Sequence, residues 1–160
     1  MRAYLTKRQI IGASMLVVMA GSYFLLDHIS VSLTPSLDYR VFWRSAEPRH
    51  KATLAKGSYA VFDAEKTWEK GAIREGKLVA CAPGDKLVVD DMRDSYCNGV
   101  YLGHAKVTTS KGFSVKAFQY NGIVPKDHFY MIGTHRDSYD SRYYGFVSRN
   151  RILEVAWPLL

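Results

Sequence analysis

The feature that most constrains the fold of this 160-residue sequence is an uncharged apolar segment near its N-terminus. Residues 10–26 contain no charged side chain; Lys7 and Arg8 precede them, and Asp27 follows. A helix of this length covers about 25 Å, and side chains at its two ends can snorkel to span a hydrocarbon core of about 30 Å. We therefore predict one short transmembrane helix.

A cleavable secretory signal is the competing interpretation of this segment. It also needs a basic start and an apolar middle, and Val18-Met19-Ala20 could serve as its cleavage site. We favour a retained anchor. In both interpretations the basic residues stay in the cytoplasm, so everything after residue 27 is exported. The predicted organisation is a cytoplasmic N-terminus over 1–9, an anchor over 10–26 and one exported domain over 27–160.

The net charge of +7 does not point to a nucleic acid as a partner. Arg2, Lys7 and Arg8 precede the anchor, which leaves 19 basic against 15 acidic residues, a charge of +4, for the remainder. Nucleic-acid binding needs positive charge gathered on one face, and the basic residues after position 39 are scattered among acidic ones. The hydrophobic fraction of 48% instead predicts a globular domain with a substantial core.

The exported part has the sequence pattern of an all-β domain. Short runs rich in β-branched and aromatic residues, bounded by Gly, Pro, Asp or Asn, predict strands. These runs are 40–43, 59–62, 77–80, 86–89, 113–118, 128–132 and 143–147. Turns are predicted at 82–85, 97–99, 120–122 and 124–127. Residues 64–75 have a helical pattern, and 29–33 are predicted to form a very short tether to the anchor.

Two cysteines, Cys81 and Cys97, lie in the exported part with fifteen residues between them. An even cysteine count in an oxidising compartment favours a disulfide. Two buried free thiols are the alternative that the sequence leaves open. A catalytic cysteine is disfavoured because no activating histidine lies near either residue.

Common cofactor motifs are missing from the sequence. The five histidines show no metal-ligand spacing, and the sequence has no HExxH motif and no close Cys/His cluster. No GxGxxG or P-loop motif supports nucleotide binding, and no GxSxG motif marks a nucleophile elbow. We therefore predict neither a metal nor another cofactor.

Three segments carry short motifs that form one pattern in their order and spacing. Thr34-Pro35-Ser36-Leu37 follows the anchor, residues 77–85 run from a lysine to Pro-Gly-Asp, and residues 138–145 read Ser-Tyr-Asp-Ser-Arg-Tyr-Tyr-Gly. They resemble the bacterial type I signal peptidases, in which a serine follows the membrane segment and a lysine lies eight residues before the Asp of Pro-Gly-Asp. A Ser-x-Asp-Ser-Arg-x-x-Gly box closes the domain in that family. The resemblance covers nearly the whole chain after residue 27.

The resemblance implies a mainly antiparallel signal-peptidase-like β fold with a Ser-Lys dyad. Ser36 matches the nucleophile and Lys77 the general base of a serine endopeptidase. A lysine accepts a proton only when neutral, so burial has to lower the pKa of Lys77 from about 10.4. Activity should then rise with pH through the pKa of Lys77 in the folded protein.

Four further residues match supporting positions of the family. Thr34 matches a hydroxyl that joins the nucleophile's backbone N–H in the oxyanion hole. Ser138 matches the residue that orients the lysine. Asp140 and Arg142 match an acid and a base that hold the site together, most simply as an ion pair.

The sequence departs from the family pattern at two places. Asp38 and Arg40 stand where a proline and a glycine are expected, and Gly133-Thr134-His135 replaces Gly-Asp-Asn. Gly-Thr-His and Thr-x-Ser-Leu resemble the conjugative-transfer branch, the TraF-type peptidases that process pilin precursors. This branch implies an exported pilin or leader-peptide precursor, bound as an extended strand at the bacterial inner membrane by a periplasmic domain.

The sequence leaves the outcome of the reaction open. Water could resolve the acyl-enzyme and give a linear product, or the substrate's own amine could resolve it and give a cyclised one. A non-enzymatic alternative is a catalytically inactive, membrane-tethered scaffold of a conjugation or secretion apparatus, which Asp38 and Arg40 support. That alternative predicts that pilus assembly survives both Ser36→Ala and Lys77→Ala.

Overall fold

The N-terminal helix is longer than the uncharged segment that predicted it. The computed structural model describes residues 6–44, 54–64, 74–109 and 112–160. Helix α1 spans Lys7–His28, 22 residues or about 33 Å, and begins with a capping box formed by Thr6 and Gln9. None of its residues is buried, and its length and composition are sufficient to cross a membrane. The extra residues at both ends bring the helix to the thickness of a hydrocarbon core.

The rest of the described chain is built mainly from two antiparallel sheets. Its strands are β1 (Ile29–Val31), β2 (Val41–Arg44), β3 (Tyr59–Asp63), β4 (Arg74–Cys81), β5 (Lys86–Val89), β6 (Asp94–Cys97), β7 (Val100–His104), β8 (Asn121–Ile123), β9 (His128–Ile132), β10 (Val147–Ser148) and β11 (Ile152–Pro158). The larger sheet has the order β1-β2-β11-β3-β4-β9-β10, and the smaller has the order β7-β6-β5-β8. Helix α2 (Ser141–Tyr144) and a 3-10 helix (Arg149–Arg151) complete it. The predicted all-β domain behind one N-terminal helix is confirmed.

Helix α1 leads directly into the larger sheet. Residues 29–33 were expected to form a tether, but Ile29–Val31 is β1, which pairs with β2. The His28 ring stacks on Trp43 of β2 at 5.1 Å between ring centroids. Backbone pairing therefore fixes the chain next to the end of α1.

Two of the predicted strands are wrong. Residues 113–118 form no strand; Ser114 makes only an isolated bridge to Thr108, and the Phe113 side chain is exposed. Residues 143–147 are divided between α2 and β10. Helix α2 forms there because the Asp140 side chain accepts a hydrogen bond from the Arg142 backbone N–H, which caps the helix and overrides the aromatic, strand-like composition.

The predicted turns agree with the structure except at one place. Asn98 and Gly99, both with positive φ, connect β6 to β7 as a two-residue hairpin loop. Turns also occur within 82–85 and 124–127. Residues 120–122 are not a turn, because Asn121–Ile123 forms β8 and pairs with β5. The predicted helix 64–75 lies mostly outside the described residues, and its last two residues belong to β4.

Strand β4 lies in the interior of the domain. It pairs with β3 on one side and β9 on the other. One buried cluster packs around Phe62 and Val79, and a second, around Cys81, Leu87 and Tyr130, joins strands of both sheets. A polar side chain on the inner part of β4 is therefore surrounded by apolar groups.

Cys81 and Cys97 form a disulfide that links β4 of the larger sheet to β6 of the smaller one. The predicted pairing is confirmed, and the alternative of two free thiols is excluded. We expect reduction to lower the free energy of unfolding by about 3 kcal/mol, the chain-entropy estimate for a loop of this length. Denaturation of the detergent-solubilised chain with and without reductant measures the difference. In a Cys81→Ala/Cys97→Ala variant, the reductant should change nothing.

Candidate active site

A groove of about 800 Å³ runs between the loop after β1 and the inner strands of the larger sheet. Thr34 and Ser36 line it from the loop, Lys77 from β4, and Ser138 from the loop before α2. Segments distant in sequence therefore bring three hydroxyls and an amine to one cavity. The groove is partly open to solvent.

The loop that carries Ser36 is closed at its base and anchored in its middle. The Ser32 backbone N–H donates to the Arg40 carbonyl at 2.8 Å. Leu37 is buried against Phe42 and Ala156. Burial of Leu37 directs its neighbour Ser36 toward the groove, where the Ser36 side chain is half-buried.

The Ser36 hydroxyl lies 3.1 Å from the Thr34 hydroxyl, and either can donate. On the opposite side, the Ser36 carbonyl accepts a hydrogen bond from the His135 backbone N–H at 3.3 Å. The loop is therefore fastened to the segment that replaces Gly-Asp-Asn. Asp38 and Arg40, the departures from the family pattern within this loop, are both exposed.

Lys77 is a buried lysine whose amine has one hydroxyl partner among the described residues. Its side chain is 6% exposed, and its Nζ donates to Ser138 Oγ at 3.1 Å. Burial lowers the pKa of Lys77, against the opposing charges of Glu75 and Asp140. A lysine with a lowered pKa becomes neutral closer to physiological pH and can then accept a proton.

Asp140 and Arg142 form a fully hydrogen-bonded ion pair behind the groove. Arg142 donates through Nε and Nη2 to the two Asp140 oxygens at 2.8 and 2.7 Å. Asp140 also accepts from the Gly133 backbone N–H at 2.8 Å. Arg142 donates further to the carbonyls of His135 and Ser138. The pair thus holds the backbone that presents Ser138 and His135 to the groove.

Gly133 lies tightly between Ser138 and the Ser36 carbonyl. A Cβ at this position would lie 2.5 Å from Ser138 Cβ and 2.6 Å from the Ser36 carbonyl oxygen. Real Cβ atoms do not approach other heavy atoms this closely. A side chain here would force Ser36 and Ser138 apart, so glycine is required for steric reasons.

We expect Gly133→Ala to lower the free energy of unfolding by about 1–3 kcal/mol, as overpacking of a well-filled interior does. Chemical denaturation of the detergent-solubilised chain measures the loss. Gly76→Ala is the matched control, because a Cβ there meets only Leu37 Cδ1 at 3.8 Å, an ordinary contact. Equal effects of the two substitutions would contradict the steric argument.

The structure brings the predicted site residues together. Thr34, Ser36, Lys77 and Ser138 line the groove, and Asp140 and Arg142 lie directly behind Ser138. Sequence reasoning missed Glu75, which lies on β4 two residues before Lys77 and also lines the groove. Its position in an apparent helical segment hid it, and the strand period of two around Lys77 was the signal that could have found it.

One group of metal-ligand residue types lies close together among the described residues. Cys81, Asp85 and Cys97 place their ligand atoms within 4.8 Å of one another. Both sulfurs are already joined in the disulfide, so neither is available as a thiolate ligand. This group is therefore part of the disulfide link and does not fit a metal.

Comparison with known proteins places the chain among signal peptidases. The family described as "Signal peptidase, peptidase S26" matches residues 4–157. The plasmid transfer protein TraF of Escherichia coli is 27% identical over 98% of this chain and 96% of its own. The conjugal transfer protein TraF of Agrobacterium fabrum strain C58 is 27% identical over 59% of each chain. A signal peptidase I structure from Enterococcus faecalis V583 has 23% identity and a TM-score of 0.44, covering 65% of this chain and 97% of that one.

Proposed function

Because the chain belongs to the signal peptidase family, peptidase S26, we propose that it is a membrane-anchored serine endopeptidase with Ser36 as nucleophile and Lys77 as general base. The observation that carries the proposal is the burial of Lys77 in the groove that Ser36 also lines, with its Nζ held by Ser138. A solvated lysine would stay protonated at neutral pH, whereas a desolvated one can activate a serine.

The chemistry is acyl transfer. Ser36 Oγ attacks the scissile carbonyl carbon while Lys77 Nζ takes the hydroxyl proton. The tetrahedral intermediate collapses, the C–N bond breaks, and the Lys77 ammonium returns the proton to the leaving amine. An ester between Ser36 and the upstream part of the substrate remains. Water then gives a linear product, or the amine of the same substrate gives a cyclised one.

The groups around the dyad supply charge stabilisation and orientation. The Thr34 hydroxyl, together with the Ser36 backbone N–H, would donate to the developing oxyanion, where loss of one donor costs about 2.7–4 kcal/mol of barrier. Thr34 already lies beside Ser36, at 3.1 Å between hydroxyl oxygens. Ser138 orients the Lys77 amine, and the Asp140–Arg142 pair fixes the backbone that carries Ser138.

The substrate class is an exported precursor bound as an extended strand. The groove runs past the Ser36 loop next to the anchor, which suits a chain delivered from the membrane. Two relatives are named for plasmid or conjugal transfer, which makes a conjugative pilin precursor the first substrate to try. In this proposal the N-terminus is cytoplasmic and the peptidase domain lies in the periplasm at the inner membrane.

Processing of a pilin precursor in cells tests the function. The full chain and its Ser36→Ala variant are each expressed with the precursor, and the product is weighed by intact mass spectrometry. We expect a cleaved product with the wild type and uncleaved precursor with Ser36→Ala. A cyclised product would be lighter than the linear one by one water. Processing that continues with Ser36→Ala would favour the inactive scaffold and overturn the proposal.

A further inference from the structure

A carboxylate lies beside the lysine of the candidate dyad, and the mechanism above does not use it. Glu75 and Lys77 are two residues apart on β4, so their side chains emerge on the same face, and both line the groove. Glu75 Oε2 lies 3.9 Å from Lys77 Nζ. This distance is too long for a hydrogen bond but places the two charges in direct electrostatic contact.

One carboxylate oxygen of Glu75 lacks a hydrogen-bond partner. This atom, Oε2, is buried and has no partner within hydrogen-bond geometry among the described residues, although the Tyr144 hydroxyl lies near enough to lower the pKa of Glu75. Burying a carboxylate oxygen without a hydrogen bond is costly. A desolvated carboxylate against a desolvated amine in a cleft is typical of functional sites.

Neighbouring groups shift the pKa values of both residues. Burial raises the pKa of Glu75, and the negative charge of Asp140 raises it further. The positive charges of Lys77 and of Arg151 in the 3-10 helix lower the pKa of Glu75, as does the Tyr144 hydroxyl of α2. Burial lowers the pKa of Lys77, and the positive charge of Arg142 lowers it further, whereas the negative charges of Glu75 and Asp140 raise it. Asp140 is already neutralised by Arg142 through two hydrogen bonds. Glu75 is therefore the main charge that retains a proton on Lys77.

We propose that Glu75 is a positioning residue that holds the Lys77 ammonium in the resting site and thereby sets the pH above which the base is free to act. The inference rests on the proposed role of Lys77 as general base. While Glu75 is charged, it stabilises the protonated lysine, which cannot accept the Ser36 proton. Rising pH removes that proton despite Glu75, and activity increases.

Neutralising Glu75 should shift the rise of activity with pH to lower pH. With the carboxylate gone, the ammonium loses its nearest counter-charge, so Lys77 becomes neutral at a lower pH. An opposite charge at this distance moves a pKa by about 1–3 units, and the lower end applies because a quarter of the Glu75 side chain is exposed. We expect the acid limb of kcat/KM to move down by about one pH unit. At a pH on that limb, kcat/KM should rise about tenfold.

The pH profile of kcat/KM for the full chain in detergent, measured for wild type, Glu75→Gln and Glu154→Gln, tests the inference. Glu154 is the matched control, because it lines the same groove, is equally exposed and pairs with Arg44 at 3.2 Å. We expect Glu75→Gln to shift the acid limb down and Glu154→Gln to leave it in place. A Glu75→Gln limb that coincides with the wild-type limb overturns the inference.

A second measurement does not need catalytic activity. The rate of acetylation of Lys77 by acetic anhydride, followed by peptide mass spectrometry across pH, reports the proton on its amine. The midpoint of the acetylation rate against pH should fall by about one pH unit in Glu75→Gln, and an unchanged midpoint overturns the inference. Activity that survives Lys77→Met would instead overturn the proposed function, while the acetylation midpoint still decides whether Glu75 and Lys77 are coupled.

Discussion

Replacing Lys77 by methionine should lower kcat by about 10²- to 10⁴-fold, the usual contribution of a general base. Methionine has a similar length and suits a site that is 6% exposed, but it cannot take the Ser36 proton. Ser36→Ala should cost as much or more, about 10⁴- to 10⁶-fold, because no acyl-enzyme can form. Turnover of a fluorogenic precursor peptide by the detergent-solubilised full chain measures both losses.

The control for this prediction is a lysine outside the groove. Lys86 on β5 is exposed, and Lys86→Met should leave kcat unchanged. Thermal unfolding of each variant shows whether the fold is retained. A folded Lys77→Met variant with wild-type kcat would exclude Lys77 as the base.

Asp140→Asn should have the largest effect on stability. Asp140 is fully buried and accepts hydrogen bonds from Arg142 and from the Gly133 backbone N–H. Asparagine removes the charge and leaves the buried Arg142 guanidinium without its counter-charge. Breaking a buried ion pair on one side costs about 3–5 kcal/mol, a large part of the 5–15 kcal/mol that stabilises a typical domain. Denaturation of the full chain in detergent should show this loss.

An exposed ion pair provides the comparison. Asp127 and Arg149 lie 3.2 Å apart, with side chains 55% and 33% exposed. Asparagine tolerates the positive φ of Asp127, so Asp127→Asn tests the charge alone. We expect a loss below about 1 kcal/mol, because solvent screens such pairs. Similar losses for the two substitutions would show that the Asp140–Arg142 pair is not the structural centre of the site.

The sequence predicted those elements whose local pattern agrees with their tertiary environment. The strands around 59–62, 86–89 and 128–132 combine short runs rich in apolar β-branched and aromatic residues with sheet partners on both sides. The Asn98-Gly99 turn follows from residues that tolerate positive φ. In contrast, 143–147 has strand composition, but its helical turn depends on the cap that the Asp140 side chain provides, and that residue lies outside the segment.

The sequence predicted which residues form the site but not how they lie relative to one another in space. The resemblance of three motifs to the signal peptidases identified Ser36, Lys77 and Ser138, whose roles remain predictions that the experiments above test. The need for glycine at position 133 comes from the approach of the Ser36 carbonyl, which the chain brings there from almost one hundred residues away. Glu75 became visible only when β4 placed it on the same face as Lys77.

The central claim is that Ser36 forms an ester with its substrate, and trapping that ester tests it most directly. The wild-type chain is mixed with a precursor peptide, quenched in acid during turnover and digested for peptide mass spectrometry. We predict an adduct on the peptide that contains Ser36, equal in mass to the upstream product less one water. An adduct on a different residue, or product release that continues at the wild-type rate in Ser36→Ala, would contradict the claim.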